Sequence, residues 1–204
     1  GNWHLVSSPQ ELNLEFLKKI EPRYIFFPHW SWLVPEEITK NYECICFHMT
    51  DLPYGRGGSP LQNLISRGHK NTKLTALRMV SKLDAGPVYG KINLSLEGSA
   101  QVIFERAADL AYNLIKKIIS SNLEPSDQQG KTVFFDRRTP EQSKIPLSTD
   151  LNQLFNHVRM LDADTYPHAY LEHGDFKFEF RNAKKQGKEI ICSVKIKRVK
   201  NAIN

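Results

Sequence analysis

The sequence predicts an α/β protein, a parallel or mixed sheet followed by a small C-terminal α+β appendage. Three observations carry that expectation. From residue 12 to residue 121, short apolar runs of strand length alternate with amphipathic stretches, the order expected of a sheet flanked by helices. Residues 124–148 are polar and broken by Pro125, Gly130, Pro140 and Pro146, as a linker would be. Beyond them, apolar and polar residues alternate on both sides of Gly187, the pattern of a hairpin. The expected organisation is a main domain over 1–123, a linker over 124–148 and a small C-terminal domain over 149–204.

The elements follow in order. Leu12, Phe16, Leu17 and Ile20 recur at helical spacing, and Pro22 stands just beyond them, so 12–20 reads as a helix. Residues 24–27 are wholly apolar and predict a buried strand. Pro35 followed by Glu36 and Glu37 looks like a helix start, with proline in the first turn and acids favoured by the dipole. Residues 43–49 are the next strand, 61–66 a short helix and 74–80 a third strand. Ser99 suits the N-cap of a long helix running to about residue 121, with Val102, Ile103, Ala107, Leu110, Leu114, Ile115 and Ile118 in its apolar stripe. A last helix is expected over 151–161, then the hairpin of 176–180 and 190–196.

The chemistry concentrates in two places. His48 ends an apolar run and opens the loop Met49-Thr50-Asp51-Leu52-Pro53-Tyr54-Gly55-Arg56-Gly57-Gly58-Ser59-Pro60. Asp84, 36 residues later, opens the tight turn Asp84-Ala85-Gly86-Pro87. Sheets of this class bind ligands just outside the carboxyl ends of their strands, so two such ends supplying His and Asp make a catalytic pair. Each alone has a plainer explanation, a structural histidine and a turn-forming aspartate. The Arg56-Gly57-Gly58-Ser59 loop could turn backbone N–H groups toward a phosphate or carboxylate, or simply form a turn before the next helix. Cys44, Cys46 and His48 alternate on one strand and share a face. Close loop pairs such as Cys-x-x-Cys are missing, which favours buried structural thiols over a metal site, and no metal is expected.

Taken together, these motifs resemble those of the formyl-tetrahydrofolate-dependent formyltransferases, which attach a formyl group to an amine. The family pattern runs Asn-x-His-x-Ser-Leu-Leu-Pro, then Arg-Gly and Pro, with Asp-x-Gly-Pro farther on. His48, Leu52-Pro53, Arg56-Gly57, Pro60 and Asp84-x-Gly86-Pro87 match it in order, while Cys46 stands where the family has Asn. Arg138-Thr139-Pro140-Glu141 and the run from Arg159 to Pro167-His168-Ala169-Tyr170 resemble the segments that follow the family's core. The resemblance implies a Rossmann-like core, with 1–123 the catalytic domain. The family's domain normally opens with a further strand and helix, so this domain is expected to be short at its start.

It also implies roles for single residues. His48 becomes proton acceptor or oxyanion donor, Asp84 its orienting partner, and Cys46 a doubtful replacement for the Asn amide, since a thiol is a weak donor. The cosubstrate is 10-formyltetrahydrofolate, with Trp32, Leu33, Val34, Leu52, Arg56, Gly57 and Gly86 as its candidate contacts; packing is the competing explanation for the Trp-rich segment. Tyr166 and Tyr170 are candidates for framing the acceptor, against core packing and turn formation.

The runs Phe27-Pro28-His29-Trp30-Ser31-Trp32 and His48 to Pro60 look most like bacterial sugar N-formyltransferases of pseudaminic-acid-type pathways. The expected acceptor is therefore a nucleotide-linked amino sugar. The tail looks too short for the large barrel with which methionyl-tRNA formyltransferases grip tRNA, so that substrate, like glycinamide ribotide, is the alternative. A non-catalytic folate- or nucleotide-binding relative is a further alternative, for which Cys46 is the argument.

Composition bounds the partners. With 204 residues, 40% hydrophobic and 25% charged, the chain is an ordinary globular protein by composition. No apolar run approaches the roughly 20 residues that span a bilayer, so no membrane partner is expected. Three cysteines are too few for a disulfide framework, and Gly1-Asn2-Trp3-His4-Leu5 lacks the basic and apolar regions of a secretory signal; both fit the cytoplasm. The net charge of +6 suits an anionic partner, a folate, a nucleotide-sugar or RNA. Its concentration in Lys184, Lys185, Lys188, Lys195, Lys197, Arg198 and Lys200 reads as a solvated face and charged terminus, which argues against nucleic acid. A second copy of the chain, as a homodimer, is a further candidate partner.

Overall fold

The computed structural model describes residues 1–147, 150–164 and 166–199. Lys200 of the basic run lies outside the described residues. The fold is mixed α/β. Its elements are α1 (Leu14–Ile20), β1 (Ile25–Phe27), α2 (Glu36–Asn41), β2 (Cys44–His48), β3 (Tyr54–Gly57), α3 (Pro60–Ser66), β4 (Asn71–Arg78), β5 (Val88–Ser95), α4 (Ala100–Ser121), β6 (Val133–Phe135), α5 (Leu151–Arg159), β7 (Ala169–His173), β8 (Phe176–Gln186) and β9 (Glu189–Arg198). A single 3-10 turn, Pro140–Ser143, lies before α5. Among the described residues no helix is long and apolar enough to cross a membrane.

The chain divides into two compact units. The first comprises Gly1–Arg56, Lys73–Ile92 and Ala108–Val133. It holds most of a four-stranded sheet of order β1-β2-β4-β5. Strand β1 pairs parallel to β2, with Phe27 beside Cys46. On its other side β2 pairs antiparallel to β4, with Cys46 beside Leu77 and His48 beside Thr75. Of the two sheet types the sequence allowed, the structure takes the mixed one. Strand β2 is thus flanked on both edges, and Cys44 and Ile45 are fully buried.

Beside that sheet, Leu12, Leu17, Phe27, Val34, Ile38 and Cys44 form one apolar cluster. Helix α1 starts two residues later than its apolar spacing suggests, because Asn13 caps it: its side chain accepts the Phe16 N–H at 2.9 Å. In α4, Ala111, Leu114, Ile115 and Ile118 are buried. Val102, expected in the stripe, is half-exposed, and Ala111 lies inside instead.

The second unit comprises Gly57–Thr72, Asn93–Ala107 and the chain from Phe134 onward. Its antiparallel sheet has the order β7-β8-β9. The hairpin is longer than the alternation suggested, and its register pairs Phe178 with Ile196, Phe180 with Val194, Lys177 with Lys197 and Glu179 with Lys195. One face is therefore apolar and the other charged. Helix α5 packs on β8 and β9. Asp150 caps it, accepting from Asn152 N at 2.7 Å and Gln153 N at 2.9 Å, while the Gln153 side chain returns a bond to Asp150 N.

Strands β3, β5, β6 and β7 have no counterpart in the sequence expectations. In β5 a glycine and a lysine, Gly90 and Lys91, interrupt the alternation. In β6 only three residues pair, inside an otherwise polar stretch.

Candidate active site

Strand β2 delivers His48 to the end of the sheet, where its side chain is almost wholly buried, 8% exposed. The loop that follows doubles back through the cis Leu52–Pro53 peptide and brings the Gly55 carbonyl to the ring. His48 Nε2 donates to Gly55 O at 2.7 Å, which assigns that nitrogen its proton, because a carbonyl can only accept. The same carbonyl accepts from Thr50 Oγ1 at 3.4 Å, and Thr75 Oγ1 on β4 donates to Thr50 O at 2.7 Å. The loop is pinned from the neighbouring strand.

The other ring nitrogen, Nδ1, faces Asp84 Oδ2 at 3.7 Å. That is ion-pair distance when the ring is charged, and longer than a hydrogen bond. When His48 carries both protons, both nitrogens face acceptors. Asp84 sits at φ 50°, in the left-handed region that few residues other than glycine and Asn or Asp occupy. Two residues on, Gly86 presses against β4. A Cβ there would lie 1.9 Å from the Arg78 carbonyl oxygen, so no other residue fits without displacing the strand.

Cys46 lies two residues before His48, half-buried. Burial above all, and then the negative charge of Asp84, pushes its thiol up to about 12. It is a neutral thiol at any physiological pH, a weak donor and no nucleophile. Cys44, fully buried, is likewise pushed up to about 12 by burial and by Glu43. Among the described residues no group of three or more His, Cys, Asp or Glu side chains is gathered to hold a metal ion.

Several residues that carry the site have no signature in the sequence. The Gln128 side chain accepts from Arg56 Nε at 3.2 Å and Nη2 at 2.8 Å. Its Nε2 donates to the carbonyls of Asp84 and Gly86, both at 2.8 Å. Gln128 lies in the polar run Ser126-Asp127-Gln128-Gln129-Gly130, where nothing distinguishes it from its neighbours. Behind the site, Glu43 Oε1 accepts from Arg78 Nε and Tyr89 OH, each at 2.6 Å, tying β2, β4 and β5 together. Asp51 bonds Lys91 at 2.5 Å and Lys73 at 3.1 Å; burial raises its carboxyl, but the two lysines outweigh that and hold it below the usual range.

The expected folate contacts are spread unevenly. Trp32 and Leu33 are exposed, 52% and 94%, and form an apolar edge. Trp30 packs edge-on to Trp32, with its indole N–H buried and unpartnered. Val34 is part of the buried cluster, and the Leu52 side chain is fully buried, leaving its carbonyl to accept from Lys91. Arg56 is buried against Gln128. Gly57, Tyr166 and Tyr170 belong to the second unit. Gly57 has φ 107°, and a Cβ there would lie 2.3 Å from Phe135 O. The Gly58 N–H donates to that same carbonyl at 3.0 Å, so it is committed to the protein. Tyr166 OH shares a hydrogen bond of 2.9 Å with Ser59 Oγ, and Lys177 Nζ lies 4.0 Å over the Tyr170 ring.

Comparison with known proteins bears on all of this. A methionyl-tRNA formyltransferase from Clostridium thermocellum superposes with a TM-score of 0.92 at 43% identity, over 95% of this chain and 86% of that one. The chain belongs to the formyltransferase family. The family model described as the C-terminal domain of methionyl-tRNA formyltransferase matches residues 140–197. The methionyl-tRNA formyltransferase of Bacillus thuringiensis (strain Al Hakam) is 31% identical over 160 residues, covering 74% of this chain and 50% of that protein. The chain thus spans about half the length of the Bacillus relatives it matches. A sugar N-formyltransferase from a Shewanella species shares the fold alone, at 18% identity and a TM-score of 0.68 over 87% of this chain and 76% of that one.

Within the formyltransferase family these matches overturn the expectation of a nucleotide-linked amino sugar, and with it the argument against nucleic acid. The case against nucleic acid rested on reading the lysine-rich run as a merely solvated face, and the case against methionyl-tRNA on tail length. The model for the C-terminal domain of methionyl-tRNA formyltransferases nevertheless fits the stretch from the 3-10 turn to β9, so a compact three-stranded sheet is enough to match it.

Proposed function

We propose that this formyltransferase moves the formyl group of 10-formyltetrahydrofolate to the amine of methionyl-tRNA. One observation carries the proposal. A buried His48–Asp84 pair stands at the end of the sheet in a chain 43% identical to a methionyl-tRNA formyltransferase over 86% of that protein.

Formyl transfer forms a bond from the acceptor nitrogen to the formyl carbon and breaks the bond from that carbon to the folate nitrogen. One proton leaves the amine and one is delivered to the departing nitrogen. His48 is placed to take the first proton and return it, and Asp84 to hold the ring and stabilise its charged form. The developing oxyanion needs a donor. Cys46, a neutral thiol, is a poor one, so the charged His48 ring or a backbone N–H takes that part. The apolar edge of Trp32 and Leu33 suits a flat pterin ring, with the buried Trp30 N–H beside it. The Leu52 carbonyl, Arg56 and the Gly86 turn are the further folate contacts we assign. The charged face of β8 and β9, with Lys177, Lys195 and Lys197, is the surface we assign to RNA phosphates, and Tyr166 and Tyr170 belong to the same unit. Free thiols and these substrates support a cytoplasmic location.

The test is formyl transfer from 10-formyltetrahydrofolate to methionyl-tRNA, followed by mass spectrometry of the aminoacyl group. A methionine heavier by one formyl group supports the proposal. No product from folded protein that binds folate, with methionyl-tRNA at saturating concentration, overturns it.

A further inference from the structure

The turn that carries Asp84 is held from two sides. On one side β4 grips it: Arg78 N donates to Pro87 O at 2.9 Å, and Gly86 is pressed against the Arg78 carbonyl. On the other side stands Gln128. A carboxamide has two N–H donors and one oxygen with two lone pairs, and Gln128 uses all four here. Both donors go to carbonyls of the same turn, those of Asp84 and Gly86 at 2.8 Å, and both lone pairs go to Arg56. Asp84 takes a left-handed φ, which Asp tolerates better than most residues with a side chain, and the bonds from Gln128 hold its turn in that conformation.

We propose that Gln128 is a positioning residue for the His48–Asp84 pair. It locks the Asp84–Gly86 turn and couples it to the Arg56 guanidinium, so that the catalytic carboxylate and a candidate folate contact move as one piece. The inference rests on the formyl-transfer reading above for its catalytic consequence, and on geometry alone for the lock. The chemistry requires an amide. A carboxylate at this place would still accept from Arg56 but would set negative charge against two carbonyls. An aliphatic chain would strand both carbonyls and the guanidinium. Neither holds the turn, and the gap from His48 Nδ1 to Asp84 Oδ2, 3.7 Å here, then varies.

The experiment compares wild-type protein with Gln128→Glu and Gln128→Leu by two readouts. The first is formyl-transfer kinetics with its pH profile. The second is hydrogen–deuterium exchange of the peptide containing residues 84–87, which needs no activity. Misplacement of a catalytic group by about 1 Å costs on the order of 100-fold, so kcat is expected to fall roughly 10- to 100-fold in both variants. The KM for methionyl-tRNA should stay within about twofold, the basic or acidic limb of the kcat profile should shift, and exchange at 84–87 should rise. A merely structural glutamine would lower the unfolding midpoint and leave kcat and the pH profile of the folded protein unchanged, which overturns the proposal. Should Gln128→Leu fail to fold, Gln128→Glu decides alone, since it keeps the Arg56 partner. If wild-type protein forms no formyl product, the functional reading fails separately, and unchanged exchange at 84–87 in the variants would then overturn the lock as well.

Discussion

Strands β2 and β9 both carry polar residues, and they place them under opposite conditions. In β2 both edges are paired, to β1 and β4, so Cys44, Ile45 and His48 are buried and every polar group must find its partner inside the protein. His48 finds the Gly55 carbonyl and Asp84. Among the described residues β9 is an edge strand, hydrogen-bonded to β8 alone, with α5 packed on it. Ile191, Val194 and Ile196 are each about half exposed, and its Lys197 pairs with the partly buried Glu179. A buried polar residue here has a structural address with a small set of partners, whereas an exposed one contributes to a surface.

That contrast predicts a steep gradient of effects. The largest belongs to His48→Ala and Asp84→Ala, which should lower formyl transfer roughly 10²- to 10⁴-fold with an unchanged circular dichroism spectrum. Full activity in either variant breaks the assignment of the pair. Next comes packing. Ile45→Ala, at a fully buried position of β2, should cost about 2–5 kcal/mol, while Ile196→Ala on β9 should stay within about 0.5 kcal/mol in urea unfolding. Equal costs would mean that β9 is covered in solution.

The thiols sharpen the comparison further. Cys44 and Cys46 are raised from 9 to about 12 by burial, so their stability contribution is fully present below pH 9 and is lost as pH rises toward 12, where the unfolded chain ionises first. The urea midpoint should fall through that window, and at lower pH an alkylating reagent should label Cys192 on β9 well before either cysteine of β2. Preferential labelling of Cys46 would contradict its protonated state. The smallest effect is expected from Lys197→Ala. It removes the partner that, first among its neighbours, holds the Glu179 carboxyl low, yet the pair, with its lysine about half exposed, should be worth less than about 1 kcal/mol by the same unfolding assay.

The same distinction explains what could be read from residue order. That His48 and Asp84 would meet was legible because each stands in a local motif of restricted chemistry, one before a Pro/Gly-rich loop and one opening an Asp-x-Gly-Pro turn. The long helix and the hairpin were legible from their periods. Strand β5 was hidden by Gly90 and Lys91, β3 by its glycines, and β6 by its brevity. The acceptor was misjudged because two short runs suggested a sugar and the length of the tail stood in for the fold of the C-terminal sheet.

Period, capping and turn chemistry act over a few residues, so the amino-acid order by itself settles where helices start, where the turns lie and which side chains can carry proton chemistry. The partners of those side chains are settled by packing. Gln128 and Gln129 are chemically identical and adjacent, and only the path of the chain from β5 through α4 brings one of them against Asp84, Gly86 and Arg56. Hydrogen-bonding capacity is written into each residue, but the choice among equivalent donors 40 or more positions away is made when the strands assemble and the carbonyls to be satisfied are fixed in place.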